Sequence, residues 1–240
     1  MISLRPRLKI LYDRARILLD ESAGFHDIAC DHAKLAAAIA SARPDVRIEA
    51  SDILQSAIER ARATTNLSTA ELFVSDGFAN HTLNEGDVVV IAGIGGHTII
   101  DLLTDAVHQI GGARRRLQLL LQTNQQIEIL RENLYHREDV QMMDEFLVRD
   151  RKQIYVNFHV EIQLPWLPVK VKDEESYEYY GGGPLLISDK IEADSLLEVY
   201  LLECLSFADM KIQAVTQECE RANWQRHRER VLEILRRGQS

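Results

Sequence analysis

The chain has 240 residues, 46% apolar and 27% charged, with a formal net charge of −9, enough for one large domain or for a domain of about 150 residues with an appendage. No apolar run approaches the roughly 20 residues of a membrane span, the start MISLRPRLK lacks the apolar stretch of a signal peptide, and the acidic balance argues against indiscriminate polyanion binding. Three cysteines, Cys30, Cys204 and Cys219, form neither a disulfide framework nor a metal-ligand spacing, so a reduced, cytoplasmic setting is expected.

Over residues 4–20, Leu4, Leu8, Leu11, Ile17 and Leu18 recur close to helical spacing. Arg5, Arg7, Lys9, Arg14 and Arg16 lie between them, which predicts a basic amphipathic helix. Strand-like and helix-like runs then alternate. The strands are expected over Phe25–Cys30, Val46–Ser51, Glu71–Ser75, Asp87–Ala92 and Leu117–Gln122, and the helices over His32–Ala42, Leu54–Thr65, His97–Val107 and Gln125–Tyr135. Short connections in that order imply an α/β fold with a parallel sheet and helices on both faces. Val140–Val148 and Ile154–Gln163, joined by the charged stretch Arg149 to Lys152, read as an antiparallel hairpin closing the sheet.

Pro165, Pro168 and the acidic run Asp173 to Glu175 mark a linker, and Gly181 to Pro184 stop any helix there. Residues 189–237 contain no Gly or Pro. Leu197, Leu201, Leu205, Ala208, Ile212 and Val215 recur near heptad spacing, with a second apolar set at Val231, Leu232 and Leu235. A helical hairpin or short coiled coil is expected, capable of self-association, whose turn the sequence does not locate. Two parts follow: 1–163, and 164–240 as linker and helical hairpin. Basic residues cluster in 1–16, at Arg114 to Arg116, and at the C-terminus, while the acids concentrate between Glu138 and Glu203. That asymmetry permits a local nucleic-acid-facing patch, and solvated helix faces are the commoner reading of such charge.

The candidate site residues all fall at strand C-terminal ends, the rim where open α/β sheets bind ligands. Asp27 to Ala33, DIACDHA, joins the first strand to the first helix of the alternating series. Asp27 stands where nucleotide-binding turns carry an acid, and Ala29, Asp31 and Ala33 take the places of the usual alternate glycines. An ordinary strand–helix turn remains the alternative. Asp52, with Ile53 beside it, ends the second strand about 20 residues on, the spacing of a ribose-binding carboxylate. Asp76 and Gly77 end the third strand, as an adenine contact or a turn-forming Asp-Gly. Ala92, Gly93, Ile94, Gly95 and Gly96 follow the buried run VVVI, where the backbone either approaches a ligand or turns tightly. Gln122 and Asn124 end the fifth strand; both suit a base edge, and Asn124 also suits a helix N-cap. His26, Asp27, Cys30, Asp31 and His32 invite a metal reading, but alternation along the strand keeps His26 and Asp27 from converging with the rest, and no metal is expected.

In order and over essentially the whole chain, DIACDHAKLA, the Asp52 signal, SDGF, IAGIGG, LQTN and YYGGGPLL (Tyr179 to Leu186) resemble the motifs of the bacterial tRNA (adenine-22, N1)-methyltransferase family, known as TrmK. The resemblance implies a doubly wound, Rossmann-like class I methyltransferase sheet in 1–163, with a coiled-coil-like C-terminal hairpin. It implies methyl transfer from S-adenosyl-L-methionine to N1 of an adenine of tRNA. Asp27, Ala29, Cys30, Asp31 and His32 would form the first cofactor turn, Asp52 and Ile53 the ribose end, and Asp76 and Gly77 the adenine end, with Ala92 and Gly93 lining the same pocket. Gly93, Ile94, Gly95 and Gly96 would line the transfer site with Asp31 and His32. Arg5, Arg7, Lys9, Gln122 and Asn124 would meet the RNA. The chain departs from the family's pattern at Ala29 for glycine, Cys30 for serine and Thr123 for proline. A methyltransferase of another substrate and a non-catalytic module binding cofactor or RNA remain the alternatives.

Overall fold

Pro6 to Leu18 form helix α1, with Pro6 at the first helical position, where its missing N–H leaves no hydrogen bond unmade. This computed structural model describes residues 2–64, 69–109, 115–164, 182–183 and 195–237. Beyond α1 the chain alternates β1 (Phe25–Ile28), α2 (Lys34–Ala42), β2 (Ile48–Asp52), α3 (Gln55–Thr64) and β3 (Ala70–Val74). It returns with β4 (Val88–Gly95), α4 (Gly96–Gln109), β5 (Arg115–Gln125), α5 (Ile127–Tyr135), β6 (Val140–Asp150) and β7 (Gln153–Leu164). The last two helices are α6 (Ser195–Ala214) and α7 (Glu218–Arg237). Among the described residues no helix is long and apolar enough to cross a membrane.

The seven strands form one sheet in the order β3-β2-β1-β4-β5-β7-β6. The first five are mutually parallel, and β7 pairs antiparallel with both β5 and β6. The expected hairpin therefore closes the sheet with its second strand innermost. The order reverses between β1 and β4, opening a crevice at their C-terminal ends.

The apolar run of β4 explains why the sheet is covered on both faces. Val88 and Val90 join one core with Phe25, Ile48 and Leu120, against Leu11 and Ala15 of α1 and Leu35 and Ile39 of α2. Val89 and Ile91 point the other way, into a core with Leu119 and Leu121 and with Ile99, Leu103, Leu130 and Leu134 of α4 and α5. Tyr200, Leu201, Val231 and Ile234 of the terminal helices extend this second core. The hairpin of α6 and α7 turns at Val215 to Gln217 without glycine or proline; Arg221 Nη2 donates to the Val215 carbonyl at 2.8 Å, closing the turn.

Several boundaries differ from the sequence reading. α2 begins at Lys34 rather than His32, because Asp31 and Ala33 adopt left-handed backbone. Asn124 is not an N-cap: β5 runs on to Gln125, and Gln126, at φ 60, opens α5. The predicted linker at Pro165, Pro168 and Asp173 to Glu175, and Arg114, lie outside the described residues. So does the string Tyr179 to Leu186, apart from Gly182 and Gly183, which are buried.

A buried ion pair ties α5 to the sheet edge. Arg131 Nε donates to Glu145 Oε1 at 2.8 Å, both side chains being almost wholly inaccessible. Tyr135 donates to Glu145 Oε2 at 3.2 Å, and Tyr200 of α6 hydrogen-bonds Arg131. A side-chain carbon at Gly183 would strike the Tyr135 ring and come within 2.6 Å of Glu145 Oε2, so only glycine fits against this cluster. Truncating one member leaves the other charge buried and uncompensated. Arg131→Ala is expected to lower the unfolding free energy by about 3–5 kcal/mol in urea titrations. The double change Arg131→Met with Glu145→Leu should lose much less.

Candidate functional site

The passage from β1 into α2 sets the geometry of the rim. Ala29, Asp31 and Ala33 have φ of 59°, 47° and 49°. The chain thus adopts, with alanine and aspartate, the backbone that glycine favours at these alternate positions. Each L-residue there costs on the order of 1 kcal/mol. Tertiary hydrogen bonds hold the turn: Cys30 N donates to Ser51 O at 2.9 Å, Ala33 N to Cys30 O at 2.8 Å, and Asp31 N to Asp52 Oδ2 at 3.1 Å.

Asp27 of β1 and Asp52 of the neighbouring parallel strand β2 thus sit on either side of this turn. Asp27 Oδ2 accepts from Ala36 N at 3.2 Å, satisfying one of the orphan donors in the first turn of α2. Its carboxyl is 6% exposed. Burial pushes its pKa up to about 7; the Ala36 N–H opposes this and the Asp52 carboxylate adds to it. A buried carboxyl in this state favours a cationic ligand, which would restore its charge. Asp52 Oδ1 accepts from Leu54 N at 2.9 Å. Beside it Ile53 and Leu54 are 62% and 58% exposed, an apolar step next to a carboxylate. Ser75 N donates to Asp52 O at 3.1 Å and sets the end of β3 alongside; there Asp76 is exposed and Gly77 is buried with φ 51°.

A cavity of about 220 Å³ lies over this turn, lined by Asp27, Ala29, Asp31, His32 and Ala92, with Arg5 and Arg7 on its far wall. Asp31 is exposed at the mouth, its carboxylate 3.5 Å from His32 Nε2 and 3.6 Å from Arg60 Nη2. Cys30 also borders the cavity; burial, then the carboxylates of Asp27 and Asp52, push its thiol far up, so it stays protonated and is no nucleophile.

β4 reaches the cavity with Ala92 and then bends. Gly93 has φ 85°, and a side-chain carbon there would lie 3.3 Å from Arg7 Nη1. Gly96 passes so close to the Gln126 carbonyl that no side chain fits. Asn124 Nδ2 donates to Gly93 O at 2.7 Å, and the single hydroxyl proton of Thr123 faces both Ile94 O at 3.0 Å and Gln125 O at 2.6 Å. Thr123 therefore sits where β5 meets the bend of β4. Arg7 Nη1 donates to Gln122 Oε1 at 3.3 Å and to Asn124 Oδ1 at 3.4 Å, and Gln122 Nε2 donates to Asn124 Oδ1 at 3.1 Å. Three residues expected to meet a substrate thus converge, but their polar groups hold one another and the Gly93–Ile94 bend.

The fourth, Arg5, lines the cavity; the fifth, Lys9, does not, being paired with Asp13 at 2.6 Å on the exposed face of α1. A second concavity of about 480 Å³ adjoins the first, between Arg5 and Arg7 and the β6–β7 tip with Arg151, Lys152 and Tyr155. Arg7 lies over the Tyr155 ring at 5.3 Å. In the sequence Arg149 to Lys152 is only a hairpin link; its signal as part of a concavity is the pair of adjacent cations, Arg151 and Lys152, at a hairpin tip. α1 is fastened over β6 by Arg14, which bonds Asp144 at 2.6 Å and lies 4.5 Å over the Phe146 ring.

Strand order, turn and cavity together define an α/β protein with a cavity at its topological switch, the place where open α/β sheets take their ligands. The family profile described as a methyltransferase domain matches residues 4–158, and the chain belongs to that family. Among curated proteins no sequence match is found. Solved structures similar in fold include the Bacillus subtilis m1A22 tRNA methyltransferase TrmK, at 20% identity and TM-score 0.69, covering 98% of this chain and 100% of that one. Mycoplasma capricolum TrmK, crystallised with S-adenosyl-homocysteine, matches at 16% identity and TM-score 0.66, over 94% of this chain and 96% of its own. Streptococcus pneumoniae Sp1610, in complex with S-adenosyl-L-methionine, matches at 20% identity and TM-score 0.70, over 98% and 100%. At these identities the likeness establishes the fold.

Two outcomes follow from the turn. Ala29→Gly should raise stability by about 0.5–1 kcal/mol in chemical denaturation, since relief of the left-handed alanine outweighs the added freedom of the unfolded chain. Asp27→Asn should stabilise the ligand-free protein by about 2–4 kcal/mol above pH 7. The folded pKa lies above the ordinary 3.8, so wild-type stability falls as pH rises from about 4 to 7. The gain from the substitution should therefore shrink toward zero near pH 4, as read by thermal melts across that range.

Proposed function

We propose that this protein transfers the methyl group of S-adenosyl-L-methionine to N1 of an adenine in tRNA, at position 22. The observation that carries the reading is the cavity at the rim: Asp27, the left-handed turn and Ala92 line it, and Asp52 holds that turn through Asp31 N. The donor groups fit this cofactor. Asp52 offers a carboxylate to a ribose diol, and the exposed Ile53 offers an apolar face to an adenine ring. Asp27 meets the cationic end, and Arg5 and Arg7 stand opposite for a carboxylate. The whole-chain likeness to TrmK structures, one of them holding S-adenosyl-homocysteine, supports the same assignment.

The bound cofactor supplies an electrophilic methyl: the lone pair of adenine N1 takes the carbon, and the C–S bond breaks with its electrons retained on sulfur. No strong base is needed for that attack. The protein's work is alignment, which removes the entropy of a bimolecular encounter. The Gly93–Ile94 bend is kept rigid for this by Asn124. N1 lies on the pairing edge, so the base must leave its stack. The product base is cationic, and Asp31 at the cavity mouth is placed to balance that charge, with His32 beside it to orient the base. The groove between Arg5, Arg7, Arg151 and Lys152 is the phosphate track, with Tyr155 as a stacking surface.

Incubation of unmodified bacterial tRNA with the protein and labelled cofactor should yield 1-methyladenosine, lost when adenine 22 is replaced. Methyl on another base, or none on RNA, would overturn the reading. Asp52→Ala should weaken cofactor binding about 10–100-fold by calorimetry, through loss of charge-assisted hydrogen bonds. Binding of tRNA should fall steeply with salt. The pair Arg151→Ala with Lys152→Ala should reduce the slope of log affinity against log salt by about 2.

A further inference from the structure

A second polar centre lies beneath the sheet, away from the cavity. His26 of β1 points opposite to Asp27, as alternation along the strand requires. Its register neighbour on β2 is Glu49, and His81 arrives from the connection between β3 and β4. All three are buried, at 0%, 4% and 8% exposure. None of them lines the cavity above the turn.

Three ligand atoms converge here. His26 Nδ1 and His81 Nδ1 are 3.1 Å apart, and each lies 3.3 Å from Glu49 Oε2. Donors bound to one tetrahedral zinc at roughly 2.0–2.1 Å lie roughly 3.3 Å from each other, so the triangle has the size of a metal's ligand face. Among the described residues this is the one His/Cys/Asp/Glu group of that kind.

The surrounding partners set the protonation of the rings. His26 Nε2 lies 2.8 Å from Asp87 Oδ2, and His81 Nε2 lies 2.7 Å from Ser51 Oγ. A ring nitrogen facing a carboxylate carries the proton, which leaves Nδ1 of His26 as the lone-pair donor. Glu49 is oriented in turn by Arg47 and by Thr82 N, which donates to Oε2 at 3.0 Å. Asp87 is oriented by Gly24 N at 2.6 Å and Asn84 N at 2.8 Å. Arg47 also pairs with Asp87, so two buried carboxylates face one guanidinium. One negative charge remains, and two imidazoles and a carboxylate oxygen converge on a single point. A metal cation held between them answers both facts, in competition with a second proton on the His26 ring. A proton joins two of the three atoms at a time; a metal ion joins all three.

We propose that His26, Glu49 and His81 bind a divalent transition-metal ion, zinc by the chemistry of two imidazoles and a carboxylate, with water as a fourth ligand. Asp87 and Ser51 hold the rings from outside, as metal-bound histidines require. The site links β1, β2 and the β3–β4 connection, and it acts on folding and stability rather than on the rim. It is independent of the methyl-transfer reading.

The test uses the full chain, unfolded in guanidinium with chelator and refolded with zinc chloride, cobalt chloride or no metal. After desalting, mass spectrometry should find one zinc per chain, with Tm raised by about 5 °C or more over the metal-free protein. The cobalt form should show the visible absorption of a tetrahedral site. His81→Ala should abolish retention and the Tm shift. If that variant does not fold, the cobalt spectrum of the wild type decides. Wild-type protein with no retained zinc and no cobalt band, or equal zinc on a folded His81→Ala chain, would overturn the proposal and leave a shared proton in the cluster.

Discussion

The rest of the molecule is arranged around a seven-residue passage whose backbone is held where its side chains disfavour it. Ala29, Asp31 and Ala33 remain left-handed because both flanks are anchored, Asp27 by the first turn of α2 and Asp31 by the carboxylate of Asp52. Glycine at these places would reach the same shape with less strain, but with more freedom to leave it. Alanine and aspartate make the turn stiffer. The same anchoring buries Asp27, whose ionised carboxyl that burial destabilises. Strain and buried charge concentrated at one rim are what a preorganised binding site looks like in energetic terms.

The fold then solves a charge problem. A protein of net charge −9 approaches a polyanion only through a local patch. Arg14 clamps α1 onto β6, which brings Arg5 and Arg7 beside the β6–β7 tip with its Arg151 and Lys152. Much of the remaining basic charge is taken up nearby: Lys9 pairs with Asp13, Arg228 with Asp209 and Arg237 with Glu233. The positive patch of Arg5, Arg7, Arg151 and Lys152 is narrow and lines the second concavity, Arg5 and Arg7 also lining the cavity above the turn.

Buried ionic centres flank this site at two distances. The Arg131–Glu145 pair, with Tyr135, Tyr200 and Gly183 around it, joins α5, β6, α6 and a glycine pair far along the chain. The His26–Glu49–His81 cluster fixes the central strands from below. Each demands complete satisfaction of its polar groups, and each therefore specifies one register of the elements it joins.

The order and type of the elements of the α/β unit, and the placing of the candidate residues at strand ends, were legible in the chain itself. Apolar runs of period 2 and 3.6 are local properties, and the positions after Ile28, Ser51, Val74 and Ile91 follow once strands are assigned. Left-handed turns displaced the predicted helix starts, since alanine gives no local sign of positive φ. Three things belonged to the tertiary structure alone. Arg7 meets Gln122 and Asn124 across 115 and 117 residues. The β6–β7 tip meets Arg5. His26 meets Glu49 and His81 only through strand register and a loop. Sequence spacing records neighbours along one element; crossovers and register decide which elements become neighbours in space, and that is settled by packing of the whole sheet.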